Sequence, residues 1–115
     1  MDQLPIFVNV RGRKVILVGE GDAADAKRRL IERAGGQCVD AGNADAVLAF
    51  VAIEDEDEAL ASAEDMKARG LLVNVVDRPD QCDFTTPAVV DRQPVLVAVG
   101  TGGASAGMAK AIRQR

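Results

Sequence analysis

Histidine is absent from this chain of 115 residues, and so are tryptophan and tyrosine. Without histidine, His-based catalytic triads and most zinc or haem sites are excluded. Three phenylalanines are the whole aromatic content, although 48% of the residues are hydrophobic. The core must therefore be aliphatic, which suits a buried parallel sheet. Cysteine is scarce as well: Cys38 and Cys82 stand far apart in a chain that reads as cytoplasmic, and buried or idle thiols are expected in place of a disulfide. No apolar run reaches membrane-spanning length. The start carries an acid and a proline before any apolar run, where a secretory leader would be basic and then apolar. A net charge of −4, with no basic, aromatic-studded stretch, argues against nucleic acid as a partner. The length suits a single domain with one core.

Against these absences stands one dense segment, Lys14-Val-Ile-Leu-Val-Gly-Glu-Gly-Asp-Ala-Ala-Asp-Ala-Lys27. A short apolar run feeds Gly19-x-Gly21-x-x-Ala24 at the mouth of an amphipathic helix, the arrangement that binds a dinucleotide; an ordinary glycine-rich βα turn is the alternative. Gly19 permits the tight turn, Gly21 lets backbone approach a pyrophosphate, and small Ala24 lets helix pack close to strand. The helix N-terminus offers N–H groups to the phosphates. Asp40 follows Gln37-Cys-Val and would end the second strand, where its carboxylate accepts hydrogen bonds from an adenosine ribose and repels a 2′-phosphate; the alternative is a solvated loop aspartate.

The remaining periodicity alternates strand and helix, the mark of an α/β fold. Ile6–Val10 and Lys14–Val18 are apolar runs joined by Arg11-Gly12-Arg13, a hairpin or a sharp turn into the first parallel strand. A helix spans Asp22 to about Ala34 and ends at Gly35-Gly36. Gln37–Asp40 is a short strand, and Ala46–Ile53 reads as a central buried strand. Glu54-Asp-Glu-Asp-Glu58 opens a helix that runs to about Arg69, its acids complementing the helix dipole. Leu71–Val76 is the next strand, Phe84–Val90 and Pro94–Val99 form a pair turning at Asp91-Arg-Gln-Pro94, and a helix starts at Gly103. The step from Asp40 to Ala46 is too short for a helical crossover. An extended return across the sheet, or a missing third strand, is expected there.

The second dense region is Val73-Asn-Val-Val-Asp-Arg-Pro79, followed by Asp83 through Gly102-Gly-Ala-Ser105. Together with the opening Leu4-Pro-Ile-Phe-Val-Asn-Val-Arg-Gly-Arg-Lys-Val-Ile-Leu-Val-Gly19, it closely resembles the N-terminal domain of the siroheme synthase family, whose members are precorrin-2 dehydrogenases, some also sirohydrochlorin ferrochelatases. The resemblance covers nearly the whole chain. It implies a Rossmann-like NAD(P)-binding domain over 1–115, the N-terminal part of a longer chain that is a homodimer, and NAD-dependent oxidation of precorrin-2 to sirohydrochlorin in siroheme or cobalamin biosynthesis. Sirohydrochlorin ferrochelatase activity and a non-catalytic dinucleotide-binding module remain the alternatives.

Carried over by position, the family's catalytic aspartate falls on Asp77, at the carboxyl end of a strand. A turn aspartate ahead of Arg78-Pro79 is the alternative. The cofactor contacts expected are Gly19, Gly21, Asp22, Ala23, Ala24, Asp40, Ala52 and Asn74. For the polycarboxylate tetrapyrrole, Thr101, Gly102, Gly103 and Ser105 would present N–H and hydroxyl groups, with Arg92 adding positive charge; Ser105 alternatively caps the last helix. No metal ligands are assigned. The chain departs from the family in lacking a segment after the second strand, and it stops at Arg115 within a helix, as a fragment would.

Overall fold

A computed structural model describes residues 1–100. Thr101, Gly102, Gly103, Ser105 and the helix expected from Gly103 lie outside the described residues. The chain divides into two compact units, Phe7–Phe84 and Met1–Ile6 together with Thr85 onward.

The larger unit is a four-stranded, all-parallel sheet of order β2-β1-β3-β4, with β1 at Lys14–Gly19, β2 at Gln37–Val39, β3 at Leu48–Ala52 and β4 at Leu72–Val75. Helix α1, Asp22–Arg33, covers one face and α2, Glu56–Ala68, the other. Alternate strand residues sort into the two faces, as the period of a strand requires. Val15, Leu17 and Phe50 pack with Ile31 of α1. On the opposite face Ile16, Ala49, Val51, Val73 and Val75 meet Ala59, Ala63 and Met66 of α2. Those three α2 residues repeat at i, i+4 and i+7, and the small Ala59 and Ala63 let the helix come close to the sheet. Asp55 caps α2 by accepting from the Glu58 N–H at 2.9 Å.

Ile6–Val10 forms no strand. Ile6, Phe7 and Val8 are exposed and only Val10 is buried. Both edges of β1 are already taken, by β2 and β3, so no antiparallel partner can join it. The sharp turn exists: the Arg13 N–H donates to the Val10 carbonyl at 2.8 Å, with Gly12 at φ 73°.

The awkward connection after Asp40 has a simple geometry. Strand β2 is three residues long and ends level with Ile16, while β3 begins level with Val15. Residues 40–47 therefore travel sideways past one strand, about 10 Å, and back by one residue. Eight residues reach roughly 26 Å. No helix is needed, and a third strand beyond β2 is absent among the described residues. Ala41 and Ala46 pack on the α2 side of the sheet. Arg69, at the C-cap of α2, donates to the carbonyls of Ala41 at 2.6 Å and Asn43 at 2.7 Å. One guanidinium thus satisfies two turn carbonyls that a regular crossover would have placed in a helix.

The outer edge of β4 is sealed by the chain that follows. Asp83 donates its N–H to the Val73 carbonyl at 2.7 Å and accepts from the Val73 N–H at 3.0 Å. The Cys82 thiol both accepts from the Val75 N–H and donates to its carbonyl, each at 3.2 Å. A bare strand edge is thereby removed.

In the smaller unit, β5 (Ala88–Arg92) and β6 (Val95–Val99) form an antiparallel hairpin. Gln3 donates to the Thr85 hydroxyl at 3.1 Å. Among the described residues, no helix is long and apolar enough to cross a membrane.

Arg69→Ala should cost about 1–3 kcal/mol, because two turn carbonyls lose charged donors. Urea unfolding should show a lower midpoint with the denaturant slope unchanged.

Candidate functional site

In an open parallel sheet the crevice lies at the carboxyl ends of two strands whose connections leave in opposite directions. Here those strands are β1 and β3: from β1 the chain passes to β2 on one side, and from β3 to β4 on the other. Gly19 pairs with Ala52, and Val51 with Val75. The next residues after Val75 rise to the same level, so Gly19, Ala52 and Asp77 share one rim.

Gly19 is dictated by packing. A Cβ there would lie 2.0 Å from the Ala52 carbonyl oxygen, and φ is 121°. Gly21 is different. It is the N-cap of α1 with φ 97°, and nothing stands within 4 Å of where its Cβ would be. No side chain caps α1, and the space beside Gly21 is open. Asp22 and Ala23 are exposed at this end, while Ala24 is buried against the sheet. The Asp22 and Asp25 carboxylates in this turn stabilise the helix dipole.

Asp77 follows β4 with φ 62°, a left-handed conformation that aspartate tolerates better than most side chains. It is exposed. Backbone bonds hold the bend: the Val76 N–H donates to the Val51 carbonyl at 2.9 Å and the Arg78 N–H to the Val75 carbonyl at 3.2 Å. Arg78 donates to the Glu54 carbonyl at 2.8 Å, tying the loop after β3 to the loop after β4. Its Nε is buried without a hydrogen-bond partner among the described residues.

Two expected contacts lie lower on the sheet. Asp40 lies just past β2, whose last residue is level with Ile16, so it stands lower on the sheet than Gly19. One of its oxygens accepts from the Gly42 N–H at 3.0 Å, an Asx turn that starts the short crossover. Asn74 is 5% exposed, level with Phe50 in the body of the sheet, and its amide donates to the Phe84 carbonyl at 3.0 Å. Arg92 ends β5 in the smaller unit, exposed, with a guanidinium N–H on the Asp91 carbonyl at 3.2 Å.

One residue near the rim was not singled out by motif. Lys27 shares the sheet-facing stripe of α1 with Ala24 and Ile31, and its ammonium lies 5.9 Å from the centre of the Phe50 ring. Phe50 in turn meets Phe84 edge-on at 5.4 Å. Burial lowers the Lys27 pKa from its ordinary value, while Asp77, and after it Cys82, pull it back up. A lysine at an i+3 position between two buried apolar residues is the sequence signal for it. Both cysteines are free thiols. Among the described residues, no group of three or more His, Cys, Asp or Glu side chains is placed to hold a metal ion.

Residues 36–88 match a family model described as "Putative NAD(P)-binding". The chain aligns along its full length with the siroheme synthase of Stutzerimonas stutzeri at 37% identity and with that of Methylococcus capsulatus at 40%. Over its whole length the chain is thus similar to siroheme synthases. It spans 30% of the length of each of these two relatives, and the alignments run over 142 positions, more than the 115 residues present here. The fold of this chain also matches a solved structure, "SirC, precorrin-2 dehydrogenase", with a TM-score of 0.74 at 19% identity, covering 97% of this chain and 68% of that one. That likeness supports the Rossmann-like α/β architecture expected from the strand and helix pattern.

Gly19→Ala should leave little folded protein, since its Cβ has no room beside Ala52. Gly21→Ala should fold with a loss of about 1–2 kcal/mol from its left-handed backbone. Circular dichroism with thermal melts of the two variants checks the contrast.

Proposed function

We propose that this domain binds NAD at the β1/β3 crevice and oxidises precorrin-2 to sirohydrochlorin, with Asp77 as the catalytic residue. The observation that carries the reading is the shared rim: an uncapped helix N-terminus behind two left-handed glycines, and across it a carboxylate at the end of β4. The family match and the names of the relatives support it, a siroheme synthase in each case and a precorrin-2 dehydrogenase for the fold neighbour.

Gly21 and the amides of Asp22, Ala23 and Ala24 hold the pyrophosphate, where a positive helix end and unpaired donors favour an anion. Ala52 floors the crevice with a side chain too small to block it. When bound, the nicotinamide accepts the hydride. Removing two hydrogens also releases a proton, and an exposed carboxylate at the rim can accept it. Asp40 remains the proposed contact for the adenosine ribose, through the carboxylate oxygen that does not serve the Gly42 turn. Asn74 contributes by fixing the sheet beneath the rim. In this reading Thr101, Gly102, Gly103, Ser105 and Arg92 meet the substrate's carboxylates, and the complete enzyme works as a homodimer in the cytoplasm.

NADH formation from enzymatically prepared precorrin-2, with NAD titrated into the same sample by calorimetry, tests the reading. Asp77→Asn keeps the left-handed backbone and removes the charge, so turnover should fall on the order of 100-fold or more while NAD affinity holds. Equal turnover in Asp77→Asn would remove this residue from catalysis, and calorimetric silence would remove the cofactor site.

A further inference from the structure

Asp77 stands where glycine is the usual residue. It is the third residue of a four-residue turn, Val75 to Arg78, closed by the Arg78 N–H on the Val75 carbonyl at 3.2 Å, and its φ of 62° is left-handed. A side chain stays in that conformation when its surroundings over-determine the backbone. The residue that does so is Arg78. Pro79 behind it keeps its own backbone out of the helical region, at φ −129° and ψ 73°. Its N–H closes the turn, and its carbonyl accepts from the Gln81 N–H at 2.9 Å. Its guanidinium crosses to the Glu54 carbonyl at 2.8 Å.

That crossing comes where the sheet ends. The β3–β4 ladder stops at Val51 and Val75, with the Val76 N–H on the Val51 carbonyl at 2.9 Å as its last rung. Beyond that rung the chain after β3 enters α2 at its Asp55 cap, while the chain after β4 enters the bend. Arg78 spans the two. Its guanidinium is drawn in until Nε is buried with no acceptor among the described residues, a cost that a methionine of similar length would avoid. We infer that Arg78 is a positioning residue for Asp77: its strap to Glu54 fixes the left-handed turn against the floor of the crevice and so sets where the Asp77 carboxylate stands relative to Ala52. The purpose of the strap rests on the dehydrogenase reading, but the strap itself does not.

Two measurements on the full 115-residue chain test the inference, with Arg78→Met and Arg78→Lys as the variants. In amide hydrogen exchange, Arg78→Met should speed residues 76 and 78 roughly 10-fold or more, while the amide of Ile16, in the buried centre of the sheet, changes far less. Rates at 76 and 78 that rise only in step with Ile16 report a general loss of stability and overturn the strap. In the turnover assay, Arg78→Met should lower kcat per folded molecule about 10-fold, as a misplaced catalytic group does, with NAD affinity unchanged. Arg78→Lys keeps a charged donor for the Glu54 carbonyl and should recover most of that loss. A kcat equal to the parent's in Arg78→Met, or a lysine variant as slow as the methionine one, overturns the positioning role. Absence of turnover in the unmodified chain, with the local exchange as expected, leaves the strap in place and defeats the dehydrogenase reading alone.

Discussion

The backbone at the end of β1 runs so close to Ala52 of β3 that no side chain fits between them, and the rest of the site depends on this approach. With Gly19 in place, β1 and β3 stay paired to their last residues, and the chain then swings through Gly21 into α1. The turn sets the helix N-terminus above the crevice, and the pairing sets β3, and through it β4, at the same height. Asp77 reaches the rim because β4 is in register with β3, which is in register with β1. A slip of one residue in either ladder would exchange the two faces of a strand. It would put Asn74 in the α2 core and move Asp77 off the rim.

The short crossover is the second structural economy. A regular doubly wound sheet places a helix between parallel strands, but here eight residues suffice because β2 stops early and β3 starts low. The consequence reaches the site, since Asp40 ends lower on the sheet than the glycine turn and takes part in the turn that begins the return. Arg69 holds this loop from the C-terminal end of α2, so the stability of the crossover and the seating of α2 are one interaction network.

Much of this was legible from residue order, and the reasons are local. Gly35 and Gly70 end helices because left-handed positions exclude most side chains, and the apolar run around Phe50 could only be a buried strand. The acid run before Ala59 read as a helix start because carboxylates suit that end, and Asp55 proved to be its cap. Of the two readings of Ile6–Val10, hairpin arm or lead into a sharp turn, the structure takes the turn, since an apolar run carries no record of whether a sheet edge is free to receive it. Asn74 could be named from its motif, but its neighbour Phe84 ten residues on could not, because that contact is made by a chain folding back along β4. The same holds for Arg69, whose partners lie 26 and 28 residues earlier in the chain.

Residue order by itself determined the alternation of strand and helix, the glycine turn, the aliphatic two-faced sheet and the absence of any histidine chemistry, because each follows from the periodicity or conformational range of neighbouring residues. Tertiary structure alone decided which strands meet, that Gly19, Ala52 and Asp77 share one rim, and that Lys27 lies on the buried face of α1 with Phe50 beneath it. Those relations depend on register between strands distant in sequence and on the order in which they enter the sheet, and neither is encoded in any local run of residues.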